Sequence, residues 1–379
     1  MLQYVADLHV RSTHAQRPPF TYPWEEIGPG YAASPSFGHW DIVHQILDIL
    51  PLDFEHAKQQ ILNNLICQQA DGFLPGTIWM QGGELRWSTL AGHPPVWPVA
   101  VDEWTEYSGS NELIHHCFEP LVRQIRWFEN NRAAQPCGFF YTDISTRSWE
   151  SGVDEGIRFD DAPSGKFACI DATSHLYQMY EVAARWAQIV GCDNDEFQKK
   201  SARLQEFLQR ELFDKETGWF YDEWAIGGST PRRWALEGMW PLVVGAATPE
   251  QAQRIVENLL DPQKFFTTHP PSSVAACEPK FELRMWRGPT WNSMTLWAAR
   301  GCRRYEFNDA ARRLLENALD ATAEQFARTG VIWEFYHPHG GAPEMLARKP
   351  DTEWNAPFQD YLGHNPLLAM ARMYDELTG

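Results

Sequence analysis

Apolar residues recur at the 3.6-residue period of a helix along almost the whole chain. Leu176, Met179, Tyr180, Ala183, Trp186, Ala187 and Val190 make one stripe, and Phe197, Leu204, Phe207, Leu208 and Leu212 the next. Phe307, Leu314, Leu315, Ala318 and Phe326 make a third, with Asn308 as its expected N-cap. Comparable stretches lie at about 39–50, 54–70, 95–108, 111–130, 233–245, 249–259, 288–303 and 356–376, which makes eleven helices. Pro120 is expected to kink the helix that contains it. Strict alternation of apolar and polar residues is scarce, so strands should be confined to small ribbons in loops.

The connections between these helices alternate in length. Those near 51–53, 109–110, 192–194, 246–248 and 304–307 are short, whereas those near 71–94, 131–170, 213–232, 260–287 and 327–355 are long and rich in Gly, Pro and Trp. In an array of antiparallel helices, alternate connections lie at the same end. All the long loops should therefore gather on one face, together with an extended leader formed by residues 1–38. This predicts an all-α fold, an (α/α)6 barrel in which residues 1–379 form a single domain. Six pairs need twelve helices, so the leader must supply the last partner or that partner is missing. Loops this long in a compact domain are usually functional.

Composition narrows the partners. Lys and Arg number 32 against 50 Asp and Glu, a formal net charge of −18 that repels phosphate backbones, so nucleic acid is not expected. The chain has no run of 18 apolar residues and no basic, apolar leader, so neither a membrane span nor a secretory signal is expected. The seven cysteines are widely spaced without a Cys-x-x-Cys pair, which reads as reduced thiols in a cytoplasmic protein. No Gly-x-Gly-x-x-Gly or Walker loop supports a nucleotide, and no cofactor is expected. His337-x-His339 has Pro338 between its imidazoles and no third ligand nearby, so no metal site is expected either.

The 18 Trp are the unusual number. A Trp ring offers a flat apolar face with a polar edge, which suits sugar rings, although most of these residues should simply pack the core. Four clusters fall on the long-loop face: His39-Trp40-Asp41; Arg147-Ser148-Trp149-Glu150-Ser151-Gly152-Val153-Asp154-Glu155-Gly156; Met285-Trp286-Arg287-Gly288-Pro289-Thr290-Trp291-Asn292; and Ile332-Trp333-Glu334-Phe335-Tyr336-His337-Pro338 followed by Glu344 and Trp354. Carboxylates among aromatics are what glycoside hydrolysis needs. One acid protonates the leaving oxygen while another carboxylate acts as nucleophile or base.

These motifs resemble the inverting α-glycosidases of glycoside hydrolase family 63 and the related trehalases. The likeness rests on Trp149-Glu150-Ser151-Gly152-Val153-Asp154, Trp286-Arg287-Gly288-Pro289-Thr290-Trp291 and Glu334-Phe335-Tyr336 with Gly340-Gly341. Trp40-Asp41, Pro94-Pro95, Asp171 and Leu212-Phe213-Asp214 through Gly218 add to it, in the expected order from about residue 38 to 360. The resemblance implies an (α/α)6 barrel, Asp154 as general acid and Glu334 as general base. It implies Trp40, Asp41, Trp149, Gly152, Arg287, Gly288, Trp291, Tyr336, Glu344 and Trp354 as the sugar pocket. The chain is too short for the N-terminal β-rich domain of larger members and looks like the compact bacterial ones, some of which cleave mannosylglycerate or glucosylglycerate. It departs from them at Glu155-Gly156, at His93 and at His337-Pro338-His339, which bears on the substrate more than on the reaction.

An inverting pair carries physical demands. Asp154 must hold a proton near neutral pH, to which burial against Trp149 and the acids Glu155, Asp160 and Asp161 are expected to contribute. Glu334 must be ionised and hold a water, so the two carboxyls should stand about 6.5–9.5 Å apart. Each residue also has a plainer reading: Asp154 as a turn residue, Glu334 as a solvated loop acid, Arg287 as a partner for a buried carboxylate, Asp41 as a helix N-terminal acid. The expected substrate is a small soluble carbohydrate, and Arg147, Arg158 or Arg287 would meet an anionic glycerate. A sugar epimerase using His39, His93, His269, His337 or His339, a non-catalytic sugar-binding protein and a phosphorolytic enzyme remain alternatives. Oligomeric state is not legible.

Overall fold

The computed structural model describes every residue except Ala33, Ser34, Thr89, Leu90, Arg147 and Ser148. Twelve of its helices form a closed double ring. They are α1 (Leu2–Ser12), α2 (Asp41–Ile49), α3 (Phe54–Leu65), α4 (Trp97–Ser108) and α5 (Glu112–Asn131); two short helices interrupt long loops, α6 (Asp143–Thr146) and, further on, α9 (Glu223–Gly227). The ring continues through α7 (Ile170–Val190), α8 (Asp195–Glu211), α10 (Trp240–Val244), α11 (Pro249–Leu259), α12 (Asn292–Arg304), α13 (Asn308–Thr329) and α14 (Leu367–Thr378). Helices α2, α4, α7, α10, α12 and α14 make the inner ring, and α14 closes it against α2. Helices α2 and α10 are buried along their whole length, whereas outer helices such as α8 and α13 keep a polar face to water.

The alternation of loop lengths has the consequence expected of it. The short turns lie at one end and the long loops at the other, where the inner helices begin. Gly109, Gly191 and Gly245 end α4, α7 and α10 in the left-handed conformation, which lets the chain reverse within three or four residues. Thr248 and Gln251 form a reciprocal capping box that starts α11. The strands are three small antiparallel ribbons, the largest joining Ser36–Gly38, Thr77–Gln81 and Glu84–Trp87.

Several boundaries differ from expectation. The leader is not extended throughout: residues 2–12 are helical and pack on α14 and α2 as the twelfth helix, and further on Pro23 and Glu25 are bonded to Gln60 of α3. Asn308 is the first residue of α13 rather than its cap, a position taken by Phe307. Pro120 lies inside α5 and the helix continues past it. The last helix starts at Leu367 rather than near 356, because Phe358 is bonded through its backbone to Glu334 and Tyr361 through its hydroxyl to the Asp41 carboxylate.

One hydrophobic cluster runs from Val5 to Met373. Much of the Trp content belongs to it, and several of the buried indoles find acceptors. Trp97 donates to Gln124 at 2.7 Å, Trp186 to Asp102 at 2.7 Å, Trp104 to the Phe54 carbonyl at 3.0 Å and Trp297 to His44 at 2.9 Å. Each such ring removes about 150–250 Å² from water, a gross stabilisation of about 4–6 kcal/mol. All seven cysteines are unpaired, and among the described residues no helix is long and apolar enough to cross a membrane.

The leader helix is fastened by charge. His9 of α1 is buried between Glu25 (2.6 Å) and Asp48 of α2 (3.0 Å), while His56 of α3 reaches the other oxygen of Glu25 at 3.1 Å. Burial disfavours a charged His9, but Glu25 and Asp48 outweigh it and raise the imidazole to about 10. Burial likewise opposes charge on Glu25, but His9 and His56 outweigh it and hold the carboxyl at about 2. The His9 contribution is complete below its unfolded value near 6.5 and is lost as pH rises through about 10; the Glu25 contribution is complete above 4.5 and is lost as pH falls through about 2. His9→Gln is expected to cost about 3–5 kcal/mol at pH 6, because it leaves Asp48 buried without the His9 cation and Glu25 with His56 alone. It should also flatten the decline of stability between pH 6.5 and 10. Denaturant unfolding across that range reads both effects, and a variant as stable as the parent at pH 6 would contradict the fastening.

Candidate active site

The loop from α5 to α7 is anchored before it reaches Asp154. Glu150 is fully buried and accepts two short hydrogen bonds from Arg132, at 2.8 Å from Nε and 2.8 Å from Nη2, and one from the Thr142 amide at 2.7 Å. Ser151 donates from Oγ to Asp143 at 2.7 Å and from its amide at 3.0 Å, and its Oγ accepts from the Val153 amide. Burial pushes the Asp143 carboxyl up to about 7 against the pull of these donors. Gly152 has φ +72°, and a Cβ there would stand 2.2 Å from the Trp40 ring, so only glycine lets this loop lie on that indole. Glu155, with φ +59°, turns the chain again just past the acid.

Glu334 comes from the opposite side, on the loop from α13 to α14. Its amide donates to the Phe358 carbonyl at 2.8 Å, and its carboxylate accepts from the Phe358 amide at 3.2 Å. Two residues on, Tyr336 exchanges backbone hydrogen bonds with Thr290, both 2.9 Å, which ties this loop to the Arg287–Trp291 segment. Burial raises the Glu334 carboxyl above its ordinary range; Arg348 opposes the shift and the charge of Asp154 adds to it.

A third acid completes the group. Asp41 opens α2, is buried, and accepts from Tyr361 Oη at 2.7 Å. Burial raises its carboxyl to about 6, with further contributions from Glu334 and Asp154. Gly38 and Gly363 flank it so closely that a Cβ on either would fall within 2.3 Å of a carboxylate oxygen. Beside the acids stands an aromatic wall: Trp286 stacks on Trp291 at 3.9 Å, and Trp40 lies 5.9 Å from Trp286 and 4.9 Å from His364. The Trp40 Nε1–H is buried and has no protein partner, a condition that buried donors rarely show.

Two consecutive cations hold the pair. Arg348 Nε donates to both oxygens of Glu334, at 3.0 and 2.8 Å, and Lys349 Nζ lies 3.1 Å from Asp154 Oδ2. Neighbouring Cα atoms are about 3.8 Å apart, so acids from two distant loops converge on one dipeptide. Arg348 is fixed further by its amide bond to Asn355 and by packing its guanidinium 4.5 Å over Phe358. Tyr31 is within reach of the same charges, feeling Arg348, Glu334, Asp41 and Asp154. Sequence reasoning passed over Tyr31, Arg348, Lys349, Tyr361 and His364. Arg348-Lys349 follows Glu344 by four residues in the sequence, with no motif to mark it.

The remaining expected site residues divide. Trp40, Asp41, Gly152 and Trp291 belong to the group around the acids, and Trp149 is half-buried beside Glu150. Arg287 is spent on structure, pairing with Asp160 (2.9 Å) and Glu282 (2.7 Å) and donating to the Glu155 carbonyl. Gly288 allows close packing against the Glu282 carbonyl, and Tyr336 Oη donates to Asn365 and accepts from the Trp333 amide. Glu344 and Trp354 point into solvent. The acids expected to crowd Asp154 are neutralised instead: Glu155 pairs with Arg284, Asp160 with Arg287 and Lys280, and Asp161 with Arg233 and Lys280. Of the cations considered for an anionic group, Arg158 is enclosed by Asp171, Asp222 and Glu237, and Arg147 lies outside the described residues. Cys169 adjoins Asp171 and Asp222, but the Arg158 guanidinium already serves those carboxylates as their cation. Burial lowers His39 to about 4, His93 to about 3 and His269 to about 4, so these imidazoles are neutral and poor proton donors for epimerisation.

Residues 35–354 match the Mannosylglycerate hydrolase MGH1-like glycoside hydrolase domain. A mannosylglycerate hydrolase, MGH2, of Selaginella moellendorffii is 22% identical over 83% of this chain and 78% of its own length. A cytosolic neutral trehalase of Kluyveromyces lactis is 29% identical over 59% of this chain, which spans 31% of that larger protein. The crystal structure of the GH63 mannosylglycerate hydrolase from Thermus thermophilus in complex with Tris and D-glycerate superposes with a TM-score of 0.75 at 19% identity, covering 99% of this chain and 100% of that one. With the twelve-helix barrel and its convergent acids in place, the chain belongs to the MGH1-like glycoside hydrolase family and is a glycosidase of the GH63 type.

Proposed function

We propose that this glycosidase is an inverting, exo-acting enzyme that hydrolyses a small soluble α-mannoside or α-glucoside, with mannosylglycerate and glucosylglycerate as the leading substrates. The supporting observation is the convergence of Asp154 and Glu334 on the Arg348-Lys349 dipeptide beside a Trp wall. In this reading Asp154 protonates the glycosidic oxygen as its bond to the anomeric carbon breaks. Glu334 takes a proton from the water that attacks the other face of the ring. Arg348 would favour the charged base, opposing the burial that raises the Glu334 carboxyl.

Trp40, buried under Gly152 and beside Trp286, would back the sugar pocket, and its Nε1–H has no hydrogen-bond partner among the described residues. Asp41, one oxygen engaged by Tyr361 and the other packed against Gly38, would border the pocket as a buried carboxyl. The names of the relatives and the glycerate bound in the Thermus thermophilus enzyme support the choice of leading substrate.

Proton NMR of the first product from an α-linked substrate tests the stereochemistry. The β-anomer should appear first, and initial α-anomer would refute inversion. Asp154→Asn and Glu334→Gln should each lower kcat by about 10²–10⁴-fold while sugar affinity stays within a few-fold. An active Asp154→Asn enzyme would remove the acid assignment. Cleavage that requires inorganic phosphate would replace hydrolysis with phosphorolysis.

A further inference from the structure

Lys349 sets a difficulty for acid catalysis by Asp154. A general acid must carry its proton when substrate is bound, yet the Lys349 ammonium lies 3.1 Å from Asp154 Oδ2 and favours the carboxylate. The other charges around Asp154 do not relieve this. Glu334 is held by Arg348, Glu155 by Arg284, and Asp160 and Asp161 by Arg287, Lys280 and Arg233; Asp41 and Tyr31 face the same space. Something must part Lys349 from Asp154 in each turnover.

The two cations differ in freedom. Arg348 is buried, doubly bonded to Glu334 and packed on Phe358. Lys349 is one-third exposed and stands at the foot of the exposed 350–356 segment, whose Asp351 adopts φ +63°. Its flexible four-carbon stem allows the ammonium to move while the backbone stays tied through the Trp354 carbonyl.

We propose that Lys349 is a positioning residue that acts through Asp154. It pairs with the acid in the empty site, then passes to a carboxylate on the leaving group of the substrate. This rests on the reading of Asp154 as general acid. An acid that serves the glycosidic oxygen lies beside the aglycone, so a cation 3.1 Å from it is placed to meet a carboxylate one or two bonds from that oxygen. The charges balance. The substrate brings one negative charge, Lys349 transfers its pairing to it, and Asp154 takes one proton from solvent. That proton goes to the glycosidic oxygen, which keeps the bonding electrons, and Glu334 receives a proton from water and later returns it to solvent. Selection for an anionic aglycone thus resides in the protonation of Asp154 as well as in direct pairing.

The test compares the wild type, Lys349→Met and Lys349→Arg on α-mannosylglycerate and α-glucosylglycerate and on their neutral methyl esters. Lys349→Met should lower kcat/KM for the acids about tenfold or more beyond any change it causes for the esters. With the esters, the high-pH limb of kcat/KM should move up by about one pH unit, since removing the ammonium lets Asp154 keep its proton. Lys349→Arg should retain the preference for the acids. In a Glu334→Gln background, calorimetry in buffers of different ionisation enthalpy should show uptake of about one proton on binding the acid, and none with Lys349→Met added. Equal losses on acids and esters, or an unchanged pH profile and preference, would overturn the role of Lys349 while leaving the glycosidase reading intact. A wild type that hydrolyses neither acids nor esters would overturn the substrate reading itself and this role with it.

Discussion

A carboxylate taken out of water must be given a cation or several donors, and the loop face of this barrel is arranged around that requirement. Twelve helices supply a rigid ring, but helices alone do not hold the long loops in register. Arg132 holds Glu150, Arg158 holds Asp171, Asp222 and Glu237, Arg287 holds Asp160 and Glu282, and Arg348 holds Glu334. Several of these pairs join segments distant in sequence, so each fixes one loop against another. Removing one member of a buried pair typically costs about 3–5 kcal/mol, which makes the loops cooperative with the ring.

The Arg158 centre shows how far this goes. One buried guanidinium meets three carboxyls from the α7 start and the α8–α10 loop. Burial raises Asp222 to about 6 and Glu237 to about 7, with Arg158 opposing the shift in each case. Near neutral pH this centre therefore need not carry its full negative charge, which eases its burial. It sits one turn after Asp154 in the same loop, so it holds one side of the acid's loop while Glu150 and Ser151 hold the other. The proposed mechanism would need that rigidity, because its acid and base would have to face one sugar from two sides.

Much of the architecture was legible because it rests on periodicity. Helical stripes and alternating loop lengths led to a twelve-helix barrel with its long loops at one end, and that is the fold observed. The leader helix escaped because its buried face is largely polar: beside Val5 and Leu8 it buries His9 and Ser12, which an apolar stripe does not reveal. The C-terminal helix was extended too far because Phe358, Tyr361 and Leu362 are apolar for contacts within a loop. At the site, motif order pointed to Asp154, Glu334, Asp41 and the Trp residues. Arg287 had the right residue type but is consumed by Asp160 and Glu282, whereas Arg348 and Lys349 carried no motif. Which cation faces which acid depends on packing between loops far apart in the chain, and no local pattern encodes it.

The account stands on two acids bracketing one sugar ring. A crystal structure of Glu334→Gln with an intact α-glycoside bound tests this directly. The ring should lie between the two acids, with Asp154 within hydrogen-bond distance of the glycosidic oxygen and a water between residue 334 and the anomeric carbon. A glycoside bound elsewhere on the barrel, or with both carboxyl positions on the same face of its ring, would contradict it.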